Sequence, residues 1–86
     1  MKELRIKVTN PTGLHTRPGT EFVRIAKGFE SNITVSKDGK EANAKSLVKV
    51  MKLGVSQGSE ILLVAEGSDE VAAIHALEAY ISQLAE

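Results

Sequence analysis

The spacing of apolar residues switches back and forth between two and about 3.6 along this 86-residue chain, and that alternation limits the possible folds more than any other feature. Leu4, Ile6 and Val8 alternate with Arg5 and Lys7, the pattern of a strand with one buried face. Phe22, Ile25, Ala26 and Phe29 then fall at i, i+3, i+4 and i+7, which predicts a helix over 16–27 with Gly28 as its stop. Pro18 sits in the first turn, where a missing N–H donor costs little. Ile33 and Val35 mark a second strand, Asp38-Gly39 a hairpin turn, and 40–44 a weaker third strand. Ser46 is a natural N-cap for a short helix that Gly54 ends. Residues 61–65 are the most apolar strand, predicted to be central. Gly67-Ser68-Asp69-Glu70 opens a last helix with negative charge where the helix dipole favours it, and Ile74, Leu77, Ile81 and Leu84 form its buried stripe.

The resulting order, βαββαβα, places helices on one face of a small antiparallel sheet, an α+β two-layer domain. The same order suits ferredoxin-like folds, and periodicity does not set the strand order. A chain of this length closes one core, so residues 1–86 are read as a single domain, with a binding surface rather than a deep pocket. Phe22, Phe29 and Tyr80 are the only aromatic residues, so the core must be aliphatic. The chain has no cysteine, which excludes disulfides, thiolate metal sites and cysteine nucleophiles and fits a cytoplasmic setting. Eleven basic and eleven acidic residues cancel, leaving no global field to recruit nucleic acid, and the strand positions offer no stacking aromatics for RNA. No apolar run approaches the roughly 18 residues of a membrane span, and the charged opening segment Met1-Lys2-Glu3-Leu4-Arg5 does not read as a signal.

Gly13-Leu14-His15-Thr16-Arg17-Pro18 places a histidine where a loop meets the start of a helix. Backbone N–H groups of a first helical turn have no intrahelical partner, and with the Arg17 guanidinium they would face an anion beside the imidazole. A neutral imidazole, with a reference pKa of about 6.5, is a competent nucleophile near neutrality and also a good leaving group, as a phosphoryl relay requires. No glycine-rich phosphate cradle occurs. His75 lies beside the last helical stripe and reads as solvated, and with His15 it forms no metal-ligand set, so no metal or cofactor is expected. In the short helix, Leu47, Val48, Val50, Met51 and Leu53 are too many for one stripe, so some must be exposed. Leu47, Val48 and Met51, rimmed by Arg17, Arg24, Lys27, Lys45, Lys49 and Lys52, would make a docking patch for acidic partners.

With the histidine motif and Ala44-Lys45-Ser46-Leu47 both in register, and with Leu53-Gly54 and Gly58-Ser59-Glu60 following, the chain resembles the HPr family over essentially its full length. These are the histidine-containing phosphocarriers of the bacterial phosphoenolpyruvate-dependent sugar phosphotransferase system. The resemblance implies an open-faced β-sandwich of four antiparallel strands with three helices, and a phosphoryl relay from enzyme I to the enzyme IIA domains of sugar transporters. It further implies a phosphoryl-transfer carrier with a covalent phosphohistidine intermediate rather than a free-standing enzyme. His15 would match the histidine phosphorylated at Nδ1, Arg17 its neighbouring arginine and Pro18 the motif proline, with Thr16 in support. Ser46 would match the serine modified by HPr kinase/phosphorylase in many members, implicating a catabolite-control regulator. A monomer is expected. Gly19 stands where the family commonly has alanine, which should loosen the first turn by about 0.5–1 kcal/mol. The alternatives are a paralogue in a nitrogen-related or purely regulatory phosphotransferase chain and, in another class, a small-molecule regulatory βαββαβ module.

Overall fold

A computed structural model describes residues 1–14 and 16–84. Among them lie β1 (Lys2–Lys7), α1 (Thr16–Lys27), β2 (Asn32–Lys37), β3 (Lys40–Asn43), α2 (Leu47–Lys52), β4 (Glu60–Glu66) and α3 (Glu70–Leu84). The strands form one sheet in the order β1-β4-β2-β3, with every neighbouring pair antiparallel. The three helices pack on one face of it, an open-faced two-layer sandwich. The most apolar strand, β4, is flanked on both sides, as its composition predicted, and β1 and β2 run parallel to each other with β4 between them.

Register explains which residues are buried. Ile6 lies opposite Ile61, Leu4 opposite Leu63, and Val35 opposite both Leu63 and Ala42, so one face of the sheet is continuously aliphatic. Phe22, Leu77, Ile74, Val50 and Val55 close over that face. Each large side chain withdrawn from water in this way contributes roughly 1.5–3 kcal/mol. The other face carries Arg5, Ser36 and Glu41 in one row with Leu62, and it stays bare because alternation leaves mostly polar residues there.

Some boundaries differ from the sequence reading. β1 starts at Lys2 and stops at Lys7, while Val8 is buried beyond the strand and pairs with the loop before β4. Asp38 (φ 51°) and Gly39 (φ 82°) are both left-handed, the tight hairpin turn expected of that dipeptide. Gly28 ends α1 without a left-handed φ, its N–H bonding to the Ile25 carbonyl in a tightened last turn. The buried face of α1 includes Phe22, Val23 and Ala26, with Ile25 and Phe29 only half-buried. Packing against both other helices widens a stripe that periodicity draws narrow. Asp69 also does more than favour its own helix. Its carboxylate accepts the N–H groups of Glu30 (2.9 Å) and Ser31 (3.0 Å) and the hydroxyl of buried Ser31, tying the start of α3 to the entry of β2.

Candidate functional site

The loop that leads into α1 is held from behind by the loop leading into β4. Val8 N–H donates to the Ser59 carbonyl (2.8 Å) and Gly58 N–H to the Val8 carbonyl (2.7 Å), and Leu14 N–H donates to the Val55 carbonyl (3.2 Å). Gln57 Nε2 adds a bond to the Thr9 carbonyl at 3.2 Å. Gly13 adopts φ +59°, and a Cβ built on it would lie 2.2 Å from the Val55 carbonyl oxygen, so only glycine permits this approach. Leu14 is buried in the core. Inside the loop, Asn10 is 4% exposed and its Nδ2 donates to the Gly13 carbonyl (2.9 Å) and to Thr12 Oγ1 (3.2 Å). The sequence marks Asn10 only as a turn former. Its burial follows from the packing of two loops far apart in sequence.

Next in sequence is His15, which lies outside the described residues; α1 begins immediately after it, at Thr16. The first turn of α1 contains no acidic residue, so no carboxylate of its own occupies the positive end of the dipole. Arg17 is exposed there, and among the described residues its guanidinium pairs with no carboxylate. The half-buried Pro18 accepts a bond at its carbonyl from the Tyr80 hydroxyl (3.4 Å), a link from α3 that periodicity could not foresee. Burial, reinforced by Glu21, pushes the Tyr80 phenol above its ordinary pKa.

Gly19 corrects the expectation that glycine merely loosens this turn. It is buried, and a Cβ there would lie 2.3 Å from the Leu14 carbonyl oxygen, so alanine fits only if that carbonyl turns away. The same Cβ would lie 3.7 Å from Met51 Cε, which places α2 against the first turn of α1.

α2 divides its apolar residues as their number requires. Val50 and Leu53 are buried, Met51 is half-buried, and Leu47 (36% exposed) and Val48 (64%) face outward. Ser46 is the N-cap, its Oγ accepting Lys49 N–H at a long 3.5 Å. The basic residues expected around this patch are not equivalent. Arg24 is held by Glu21 through two bonds (2.9 and 2.7 Å), which lower the Glu21 pKa, and Lys45 Nζ donates to the Phe29 carbonyl at 2.6 Å. Lys27, Lys49 and Lys52 are exposed, and among the described residues their ammonium groups make no ion pair. His75 is exposed on α3, and no cluster of three or more His, Asp or Glu side chains forms a metal-ligand set among the described residues.

A family profile described as the PTS HPr component phosphorylation site matches residues 2–83. The chain belongs to the HPr family. Phosphocarrier protein HPr of Buchnera aphidicola subsp. Acyrthosiphon pisum is 49% identical over 84 residues, which span 98% of this chain and 99% of that protein. HPr-like protein Crh of Bacillus subtilis is 42% identical over 83 residues, 96% of this chain and 98% of that one. Among solved structures, HPr-C-His from Thermoanaerobacter tengcongensis superposes with a TM-score of 0.97 at 50% identity, covering 99% of this chain and 96% of its own.

HPr proteins accept a phosphoryl group from enzyme I and pass it to enzyme IIA domains, and this chain has that phosphocarrier function. Grooves of about 310, 280 and 370 Å³ run along the β2–β3 hairpin, across the bare sheet face and between β3 and α2. No helix among the described residues is long and apolar enough to cross a membrane.

Proposed function

We propose that His15 carries the phosphoryl group, bound at Nδ1, with Arg17 as its cationic neighbour. The observation that supports this most is the start of α1. It opens one residue beyond His15, has no acid in its first turn, and carries an arginine free of any carboxylate among the described residues. In the first transfer a lone pair of the neutral imidazole attacks phosphorus as the bond to enzyme I breaks. In the second, the imidazole leaves as an enzyme IIA domain takes the group. Phosphoryl transfer depends chiefly on positioning and charge stabilisation, which a helix terminus and one guanidinium supply. The dipole contributes about 0.3–1 kcal/mol and a charge-assisted bond about 1.5–3, enough to steady the group without trapping it. Thr16 and Pro18 support the turn.

Leu47, Val48 and Met51 with Lys27 and Lys49 form the docking face for enzyme I and the enzyme IIA domains, the two exposed aliphatic residues making its apolar centre. Arg24 and Lys45 join its rim with their charges already engaged. Ser46 is the regulatory site, served by HPr kinase/phosphorylase and read by a catabolite-control regulator. A phosphate there would place about two negative charges next to Leu47 and Lys49. The chain works as a single-domain cytoplasmic monomer.

The test is incubation with enzyme I, phosphoenolpyruvate and magnesium, followed by intact mass and acid lability. A gain of one acid-labile phosphate that disappears in His15→Ala is the expected result, and Arg17→Ala should slow transfer while leaving the melting temperature nearly unchanged. Undiminished labelling of His15→Ala overturns the assignment.

A further inference from the structure

Asn10 has an unusual environment for a turn residue. It is almost fully buried, and its amide orientation follows from its partners: the Gly13 carbonyl can only accept, so Nδ2 must face it. The second Nδ2 hydrogen goes to Thr12 Oγ1, so the Thr12 hydroxyl acts as acceptor toward Asn10. Its own single proton must then point away from the amide, and Thr12 is exposed. The Asn10 backbone carbonyl takes the Gly13 N–H at 3.1 Å, so side chain and main chain together close the turn. Asn10 Oδ1, by contrast, is buried with no hydrogen-bond partner among the described residues. A bare acceptor in a folded interior is costly, and an apolar residue would avoid that cost. The amide is therefore useful to the fold only through what Nδ2 does to Gly13 and Thr12, the residues two and three positions before His15.

We infer that Asn10 is a positioning residue of the phosphoryl site, locking the turn that delivers His15 and turning the Thr12 hydroxyl outward as a donor toward the transferred phosphoryl oxygens. This rests on His15 being the phosphoacceptor. Asn10 touches no reacting atom. It acts through a hydroxyl whose proton it leaves free and through a carbonyl it keeps from rotating. A hydrogen bond that forms to a charged group as the phosphoryl arrives stabilises the transfer step more than the encounter with enzyme I, so its loss should fall on kcat.

The test measures kcat and KM separately for transfer from phospho-enzyme I to the wild-type protein, Asn10→Ala, Thr12→Val and the double variant, with the His15 titration followed by NMR and melting recorded for each. We expect each single variant to lose about tenfold in kcat with KM nearly constant. The double variant should be no slower than Asn10→Ala, because the two residues act as a unit. The His15 titration should shift in Asn10→Ala, which a purely structural role would not produce. If Asn10→Ala fails to fold, Thr12→Val decides, since Thr12 is exposed and its valine is nearly isosteric. An unchanged kcat in Thr12→Val, or losses that multiply in the double variant, overturns the inference. Should His15→Ala still gain an acid-labile phosphate, the His15 assignment has failed instead.

Discussion

Replacing Gly13 by alanine tests whether the two loops behind the site press together as described. Two penalties are separable. At φ +59° an L-residue with a Cβ loses roughly 1–2 kcal/mol. The new Cβ would also fall 2.2 Å from the Val55 carbonyl oxygen and 2.6 Å from Ser56 Cα. Both are backbone atoms, so neither can swing aside as a side chain would, and overpacking of this kind costs a further 1–3 kcal/mol or so. Relief would require the loops to part, straining the bond from Leu14 N–H to the Val55 carbonyl. The combined loss, about 2–5 kcal/mol, is a large share of the roughly 4–13 kcal/mol that holds a domain of this size. Gly39 provides the control, with a similar φ of +82° and no atom within 4 Å of the place an alanine methyl would take. Gly39→Ala should therefore show the dihedral penalty alone. In urea titrations Gly13→Ala should lower the midpoint by about 1 M or more at an unchanged slope, well beyond Gly39→Ala, and should also slow transfer from enzyme I. Equal midpoints for the two variants would refute the close loop contact.

Two other outcomes follow from named contacts. The Asp69 carboxylate is held below its ordinary pKa by the Ser31 hydroxyl first and by the Glu30 and Ser31 N–H groups. A lowered folded pKa means that its contribution is complete above the unfolded carboxylate value, near pH 4, and is lost as pH falls through the folded value. The stability gap between the wild-type protein and Asp69→Asn should thus be widest near neutrality and narrow in acid, whereas a gap independent of pH would count against the clamp. Ser46→Asp adds charge at the N-cap beside exposed Leu47 and Val48. It should lower kcat/KM for transfer from enzyme I with little change in melting temperature, and an unchanged kcat/KM would argue against charge interference at that face.

Much of the architecture could be read from the residues because local rules and burial agree along most of the chain. Alternation in β1 and β4, the Asp38-Gly39 turn, the Ser46 cap and the surplus of apolar residues in α2 each report a local preference that packing then respects. The exposure of part of α2 was legible for the same reason, since a two-turn helix cannot bury Leu47 and Val48 together with Val50 and Leu53. The motif around His15 suggests its chemistry through residue types and their order.

Contacts between distant segments were not legible. Asp69 clamping Ser31, Lys45 capping the Phe29 carbonyl, Tyr80 reaching Pro18 and Asn10 bracing Gly13 within a loop pinned by Val55 and Ser59 depend on how the layers meet. Gly19 shows the difference most sharply, because helix propensity favours alanine there while the approach of the Leu14 carbonyl opposes it. The sequence by itself determined the elements, their order and the kind of chemistry on offer, since periodicity, capping and side-chain type are properties of neighbours in the chain. Tertiary structure alone decided the strand order β1-β4-β2-β3, which cations stay unpaired among the described residues and which loop holds the segment before α1 from behind. Those depend on distances between groups that no local rule relates.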